Sequence, residues 1–279
     1  MTRHIMVGVD GSAPATAAVD WAVADAGGRG LALRLVHVCE QWPYGPDSIE
    51  YCEGTLAAAG DRARALDRGV QVTTDLLPGN VIETLIKESA AADTVVLGSR
   101  GLGGFAGLIL GSVGMGLAGH AAGPVVIVRG PARARHDLVV VGDDGSEHSA
   151  VAVEYAIEQA RARNAALHVV YAWQSPLMSP YAAAYNSLLE EDFQQAARAA
   201  AERVAPWREK NPDVRITDEQ LPGHPVNALI KTGATADLVV VGSRGRGGFA
   251  SAVLGSVSHA VLHHVTCPVA VIRPRHDGR

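Results

Sequence analysis

The chain repeats itself almost end to end, and that repeat limits it to one fold built twice. Ile5 to Ser12 reads I-M-V-G-V-D-G-S and Val139 to Ser146 reads V-V-V-G-D-D-G-S, an offset of 134 residues. Leu33 to Val38 aligns with Leu167 to Ala172 at the same offset. Leu77-Pro78-Gly79 then meets Leu221-Pro222-Gly223 at an offset of 144, so the second copy carries ten extra residues between about Ala172 and Gln220. Gly98 to Phe105 (G-S-R-G-L-G-G-F) matches Gly242 to Phe249 (G-S-R-G-R-G-G-F), and Pro124 to Arg129 matches Pro268 to Arg273. With 279 residues, each copy has the length of a small domain. The expected modules span 1–130 and 137–279, joined by a polar stretch holding Pro131, Arg133 and Arg135.

Within each copy, short β-branched runs alternate with Ala-rich amphipathic segments. In the first copy the runs fall at about 4–9, 31–38, 70–76, 93–98 and 124–129. They are continuous and apolar, as in strands covered on both faces, so each copy reads as a doubly wound parallel α/β sheet with helices on both sides. Hydrophobic residues make up 48% and aromatics only 5%, which suits a sheet packed by small-residue helices. Ser12 and Ser146 stand where N-caps of the first helices belong, with Pro14 in the first turn of one. Residues 106–128 carry no charge unless His120 is protonated, and a hydropathy scan would offer them as a membrane span. Repeated glycines, Pro124 and the matching His259, His263 and His264 favour a helix followed by a buried strand, with no membrane partner.

Ligands of doubly wound sheets sit outside the carboxyl ends of the strands. The chemistry-bearing residues fall there. Gly8 and Asp10 end the first strand, and Gly142 and Asp144 end its copy. Gly98-Ser99-Arg100-Gly101 follows the fourth strand, and Gly242-Ser243-Arg244-Gly245 follows its copy. Nine residues separate Gly101 from Gly111, Ser112 and Val113, and the second copy repeats the spacing to Gly255, Ser256 and Val257. Glycines let backbone N–H groups approach a polyphosphate, and the helix start beyond Gly111 or Gly255 favours an anion. A serine hydroxyl there can meet a phosphate oxygen or its Mg²⁺, and Asp10 or Asp144 can accept from a ribose hydroxyl. No Lys follows the glycines as in a Walker A loop, and G-x-G-x-x-G is missing after the first strand. The plainer reading is that such turns serve backbone geometry alone.

These residues resemble the ATP-binding branch of the universal stress protein family. Val-Gly-Val-Asp-Gly-Ser at 7–12, the G-x2-G-x9-G-S spacing, and the runs from His120 and His264 into Pro-Val all fit it. The resemblance covers both halves, as in tandem two-domain members. It implies the strand order 3-2-1-4-5, one ATP per module with Mg²⁺ on the phosphates, and Val38 and Ala172 beside the adenine. It also implies that the strands at 124–129 and 268–273 pair. One departure is Gly114, which stands where the family commonly has Ser and where the second copy has Ser258. Glycines at 111, 114, 116 and 119 weaken the first copy's helix, so unequal affinities are expected.

The remaining features carry less. A net charge of −5 with no basic stripe argues against nucleic acid. Cys39, Cys52 and Cys267 fit no metal or redox spacing, and a reducing cytoplasm is the simplest compartment; no leader is visible after Met1. His259 and His263 have metal-ligand spacing but no third ligand. Trp21, Trp42, Trp173 and Trp207 read as core or rim aromatics, and residues 174–192 as a flap beside the second site. No nucleophile elbow or H-E-x-x-H site occurs. The expected function is an ATP-binding stress protein whose occupancy is read by a regulatory partner, a homodimer or the intramolecular module pair. The alternatives are a slow ATPase or phosphoryl-transfer enzyme, and a structural module with idle loops.

Overall fold

The structure is a computed structural model and describes residues 3–40, 47–102, 110–129, 135–173, 186–246 and 253–274. Two compact units form, one from Met1–Ala134 with Pro268–Arg279, the other from Arg135–Cys267. Trp42 and most of the stretch expected to form a flap lie outside the described residues.

In the first unit the elements are β1 (His4–Gly8), α1 (Ala13–Arg29), β2 (Ala32–Cys39), α2 (Asp47–Leu66), β3 (Val72–Pro78), α3 (Val81–Ser89), β4 (Thr94–Gly98), α4 (Ser112–His120) and β5 (Val125–Val128). Their strands run parallel in the order β3-β2-β1-β4-β5. The register sets Ile5 beside Leu33 and Thr94. A further strand, β10 (Val269–Ile272), lies antiparallel to β5, with Val269 opposite Ile127 and Val271 opposite Val125. The two strands expected to pair do so.

The second unit holds β6 (Leu138–Gly142), α5 (Glu147–Arg163), β7 (Ala166–Trp173), α6 (Asn186–Lys210), β8 (Ile216–Pro222), α7 (Pro225–Gly233), β9 (Leu238–Gly242) and α8 (Ser256–His264). Its strands follow β8-β7-β6-β9, the same order through the fourth strand. The central strands are buried along most of their length, while β3 and β8 are half exposed. No helix among the described residues is long and apolar enough to cross a membrane.

Local sequence explains the first helices. Ser12 accepts a hydrogen bond from Ala15 N and Ser146 from Ser149 N, so both expected caps form. Ala15, Ala18, Ala22 and Ala26 recur at helical spacing and are almost wholly buried, which brings α1 close to the sheet. Gly30 and Asn164 end α1 and α5 in the left-handed conformation. At the other end of the first sheet, Arg29 binds Asp93 at 2.6 Å and Arg3 Nε donates to the same carboxylate at 2.7 Å. Burial alone would raise the Asp93 pKa, but the charges and hydrogen bonds of Arg29 and Arg3 outweigh it and hold the carboxyl below its usual range.

Candidate functional site

Every helix N-terminus that follows a parallel strand points its amides toward the carboxyl end of the sheet. Side chains satisfy those amides at α1 by Ser12, at α3 by Asn80, at α5 by Ser146 and at α7 by His224. They do not at α4 and α8. Gly111 and Gly255 stand at the N-cap positions and offer no side chain. These two uncapped ends belong to the G-S elements of the repeat.

The aspartates organise the loops around them. Asp144 Oδ1 accepts from Ser146 N at 3.0 Å and Oδ2 from Arg246 N at 2.9 Å, so one carboxylate ties the turn after β6 to the loop after β9. Burial would raise its pKa, but hydrogen bonds from Ser146 and Arg246 hold it below the usual carboxylate range, and it is ionised at neutral pH. In the first unit Asp10 ties the matching turn and loop together, accepting from Ser12 N at 3.0 Å and Leu102 N at 3.0 Å. Gly101 and Gly245 are required here: a Cβ on either would collide with the aspartate Oδ2. Gly98 and Gly242 serve a different contact, the close passage of the first turn of α1 or α5 over the strand end.

In the second unit one cleft of about 370 Å³ gathers the sequence-predicted residues. Gly142, Asp144, Ala172, Gly242, Arg244, Gly245, Gly255, Ser256 and Val257 all line it. That volume lies within the range of small-ligand sites. In the first unit Gly8, Asp10, Val38, Gly98, Arg100 and Gly101 end their strands at the same side, with Gly111, Ser112 and Val113 at the start of α4. Residues 103–109, which belong to this loop, lie outside the described residues.

The two sites differ in their supports. Ser258 is buried at the cleft wall, and its hydroxyl lies 3.0 Å from Ser243 O and 2.9 Å from Gly255 O, so it braces the loop. Gly114 offers nothing comparable. Asp143 also lines the cleft and is paired there: Arg203 of α6 reaches it at 3.2 Å and Ser149 Oγ donates to it at 2.8 Å. Arg203 also lies over the Tyr171 ring, 5.4 Å from its centroid.

Sequence reasoning passed over several lining residues. His224, Pro225 and Leu229 enter the cleft from α7, and Arg246 from the loop after β9. His224 follows Leu221-Pro222-Gly223 directly, and Asn80 follows the matching Leu77-Pro78-Gly79, so the repeated motif itself was the signal. Cys39 and Cys52 form a disulfide, although their spacing suggests no redox motif. Trp173 packs on Phe193, with ring centroids 5.7 Å apart, and Trp21 and Trp207 are half-buried rim aromatics. His259 and His263 stack with centroids 4.6 Å apart, and no cluster of three or more metal-ligating side chains occurs among the described residues.

Fold and sites together define a tandem α/β protein with duplicated loop sites at the carboxyl ends of its strands. A sequence model of the Universal stress protein family matches residues 1–129 and 136–273. A universal stress protein of Mycolicibacterium smegmatis is 36% identical over 292 residues, spanning 97% of this chain and 97% of its own. One from Mycobacterium tuberculosis is 35% identical over 307 residues, spanning 98% and 96%. The fold is also that of a crystallised universal stress protein from Archaeoglobus fulgidus, with a TM-score of 0.71 at 20% identity over 98% of this chain and 99% of that one. The chain belongs to the universal stress protein family, as a member with two tandem modules.

Proposed function

We propose that each module, taken as residues 1–130 and 137–279, holds one ATP, and that its occupancy is read in the cytoplasm by a regulatory partner or a dimer surface during stress or growth control. The observation that carries this reading is the cleft of the second unit, where the uncapped amides of α8 meet Arg244 and Arg246. Those amides and guanidinium groups suit the outer phosphates. Val170 and Ala172 at the end of β7 offer an apolar wall for the base. The carboxylate of Asp144 is committed to backbone N–H groups and Asp143 to Arg203 and Ser149. Mg²⁺ would therefore enter on the phosphates, with the Ser256 hydroxyl as its protein ligand. The second site is the tighter of the two, because Ser258 braces its loop while α4 carries Gly114 and Gly116 at about 0.5–1 kcal/mol of helix stability each.

Native mass analysis of the purified chain, followed by calorimetric titration with Mg²⁺-ATP, tests this. Two ATP per chain with unequal affinity are expected. A chain that retains no nucleotide and gives no binding heat would instead be a structural module with idle loops. Steady hydrolysis faster than about 1 s⁻¹, within the ordinary enzyme range, would overturn a pure binding role.

A further inference from the structure

The disulfide joins the last residue of β2 to the second turn of α2. The Cα atoms of Cys39 and Cys52 are 6.2 Å apart, a span that a disulfide bridges without backbone movement. Cys39 is half-buried and Cys52 is buried. The same stretch of α2 touches the turn beside Asp10. A Cβ on Gly11 would lie 3.3 Å from Thr55 Cγ2 and 3.5 Å from the Tyr51 hydroxyl. Tyr51, Cys52 and Thr55 thus span from the end of β2 to the turn after β1.

The second unit makes the same connection without sulfur. Trp173, the last residue of β7, takes the place of Cys39. The helix ends Leu66 and Lys210 set an offset of 144, which puts Ala196 in the place of Cys52 and Phe193 one turn before it on α6. Trp173 and Phe193 pack there at 5.7 Å. One design therefore fastens the helix to the strand end twice, once by a bond that reductants break and once by a contact they leave alone.

We propose that Cys39 and Cys52 are a reversible, peroxide-oxidised thiol pair that fastens α2 to the strand end and the Asp10 turn in the first unit only. The thiolate of the more exposed Cys39 attacks one peroxide oxygen. The O–O bond breaks, hydroxide leaves and is protonated to water, and Cys39 becomes a sulfenic acid. The Cys52 thiolate then attacks the Cys39 sulfur, the S–O bond breaks, a second water leaves and the disulfide forms. The two sulfurs together lose two electrons and the peroxide gains them. A dithiol reverses the step by exchange and is itself oxidised to a disulfide. Such transient pairs are the form cysteine bridges take in reducing compartments. Its effect on nucleotide in the first module rests on the ATP reading above, since Cys39 adjoins Val38.

The test compares the full chain after hydrogen peroxide and after dithiothreitol. Peptide mapping is expected to give a Cys39–Cys52 linked peptide after peroxide and two alkylated cysteines after dithiothreitol. Closing this short loop should slow amide exchange along α2 on the order of 10- to 100-fold, while α6 changes less than about twofold. The Cys52→Ser chain should stop at a Cys39 sulfenic acid that a cyclic 1,3-dione traps. Cysteines that stay alkylatable after peroxide, a bridge formed through Cys267, or equal α2 exchange in both states would each overturn the proposal, and these readouts need no variant. Mg²⁺-ATP titration of both states separates the two readings. A change in one binding event of two supports the link to nucleotide, and two unchanged events overturn it. Absence of binding in both states removes the ATP reading and leaves the thiol pair judged by mass and exchange.

Discussion

Gly245→Ala adds a single methyl group, and its target is one oxygen. The new Cβ would collide with Asp144 Oδ2, which accepts from Arg246 N at 2.9 Å. The carboxylate cannot move without giving up that bond, because its other oxygen is held by Ser146 N at 3.0 Å. A hydrogen bond to a charged acceptor contributes about 1.5–3 kcal/mol, and water recovers part of it at the exposed Arg246, which leaves a loss of about 1–2 kcal/mol. Amide exchange at Arg246 should therefore quicken roughly 5- to 30-fold, and ATP affinity at the second site should fall by a similar factor. The decisive comparison is a double-mutant cycle. In the Asp144→Ala background the oxygen is gone and the Arg246 amide already unbound, so Gly245→Ala should add almost nothing, giving a coupling of about 1–2 kcal/mol. If the two changes simply add, the glycine is present for some reason other than the carboxylate and the reasoning fails. Gly101→Ala with Asp10→Ala poses the same question in the first unit, read at Leu102 N.

Gly98→Ala should cost more than Gly242→Ala. The first Cβ would lie 2.7 Å from Ala15 N in a helix backbone, the second 3.0 Å from the nearest atoms of His148, and overpacking of this kind costs roughly 1–3 kcal/mol; equal losses in urea unfolding would count against helix approach as the cause. Arg203→Ala leaves the buried Asp143 carboxylate without its cation and should destabilise the second unit by roughly 1–2 kcal/mol, allowing for the part-exposed guanidinium. Adding Asp143→Val, which copies Val9 of the first repeat, should restore most of that loss, and no restoration would show that Arg203 acts through Tyr171 instead. Asp93 has a folded pKa below its unfolded value, so its contribution is complete above about pH 4 and is lost as pH falls through the folded value. Asp93→Asn should flatten that part of the acid-stability curve of the first unit, and an unchanged slope would show that Arg29 and Arg3 do not stabilise the ionised form.

What the sequence displayed well was whatever repeats or acts locally. The strand runs, the Ser12 and Ser146 caps and the paired glycine loops all involve neighbours within a few residues, and the duplication marks them a second time. The nine second-module site residues converge on one cleft for the same reason, since strand ends of one sheet must face the same side. What stayed hidden depends on how separate elements pack against each other. Arg203 meets Asp143 because α6 packs on that sheet face, and neither residue carries a local sign of the other. Cys39 and Cys52 come together only through the angle at which α2 returns over β2. Ser258 stands where the family commonly has Ser, but its hydrogen bond to the Ser243 carbonyl shows only in the packed loop.

The place of β10 in the first unit has a consequence for synthesis. Val125 to Val128 form a strand of four buried apolar residues, and the residues that pair with their outer edge begin at Val269. About 140 residues separate the two, so at roughly 5–20 residues per second the ribosome leaves that edge open for about 7–28 s. An unpaired apolar edge is a template for pairing with another chain. The unit begun first is thus the one finished last. In this duplicated chain the interval of greatest exposure to misassembly falls on the N-terminal module, while the other unit is still being made.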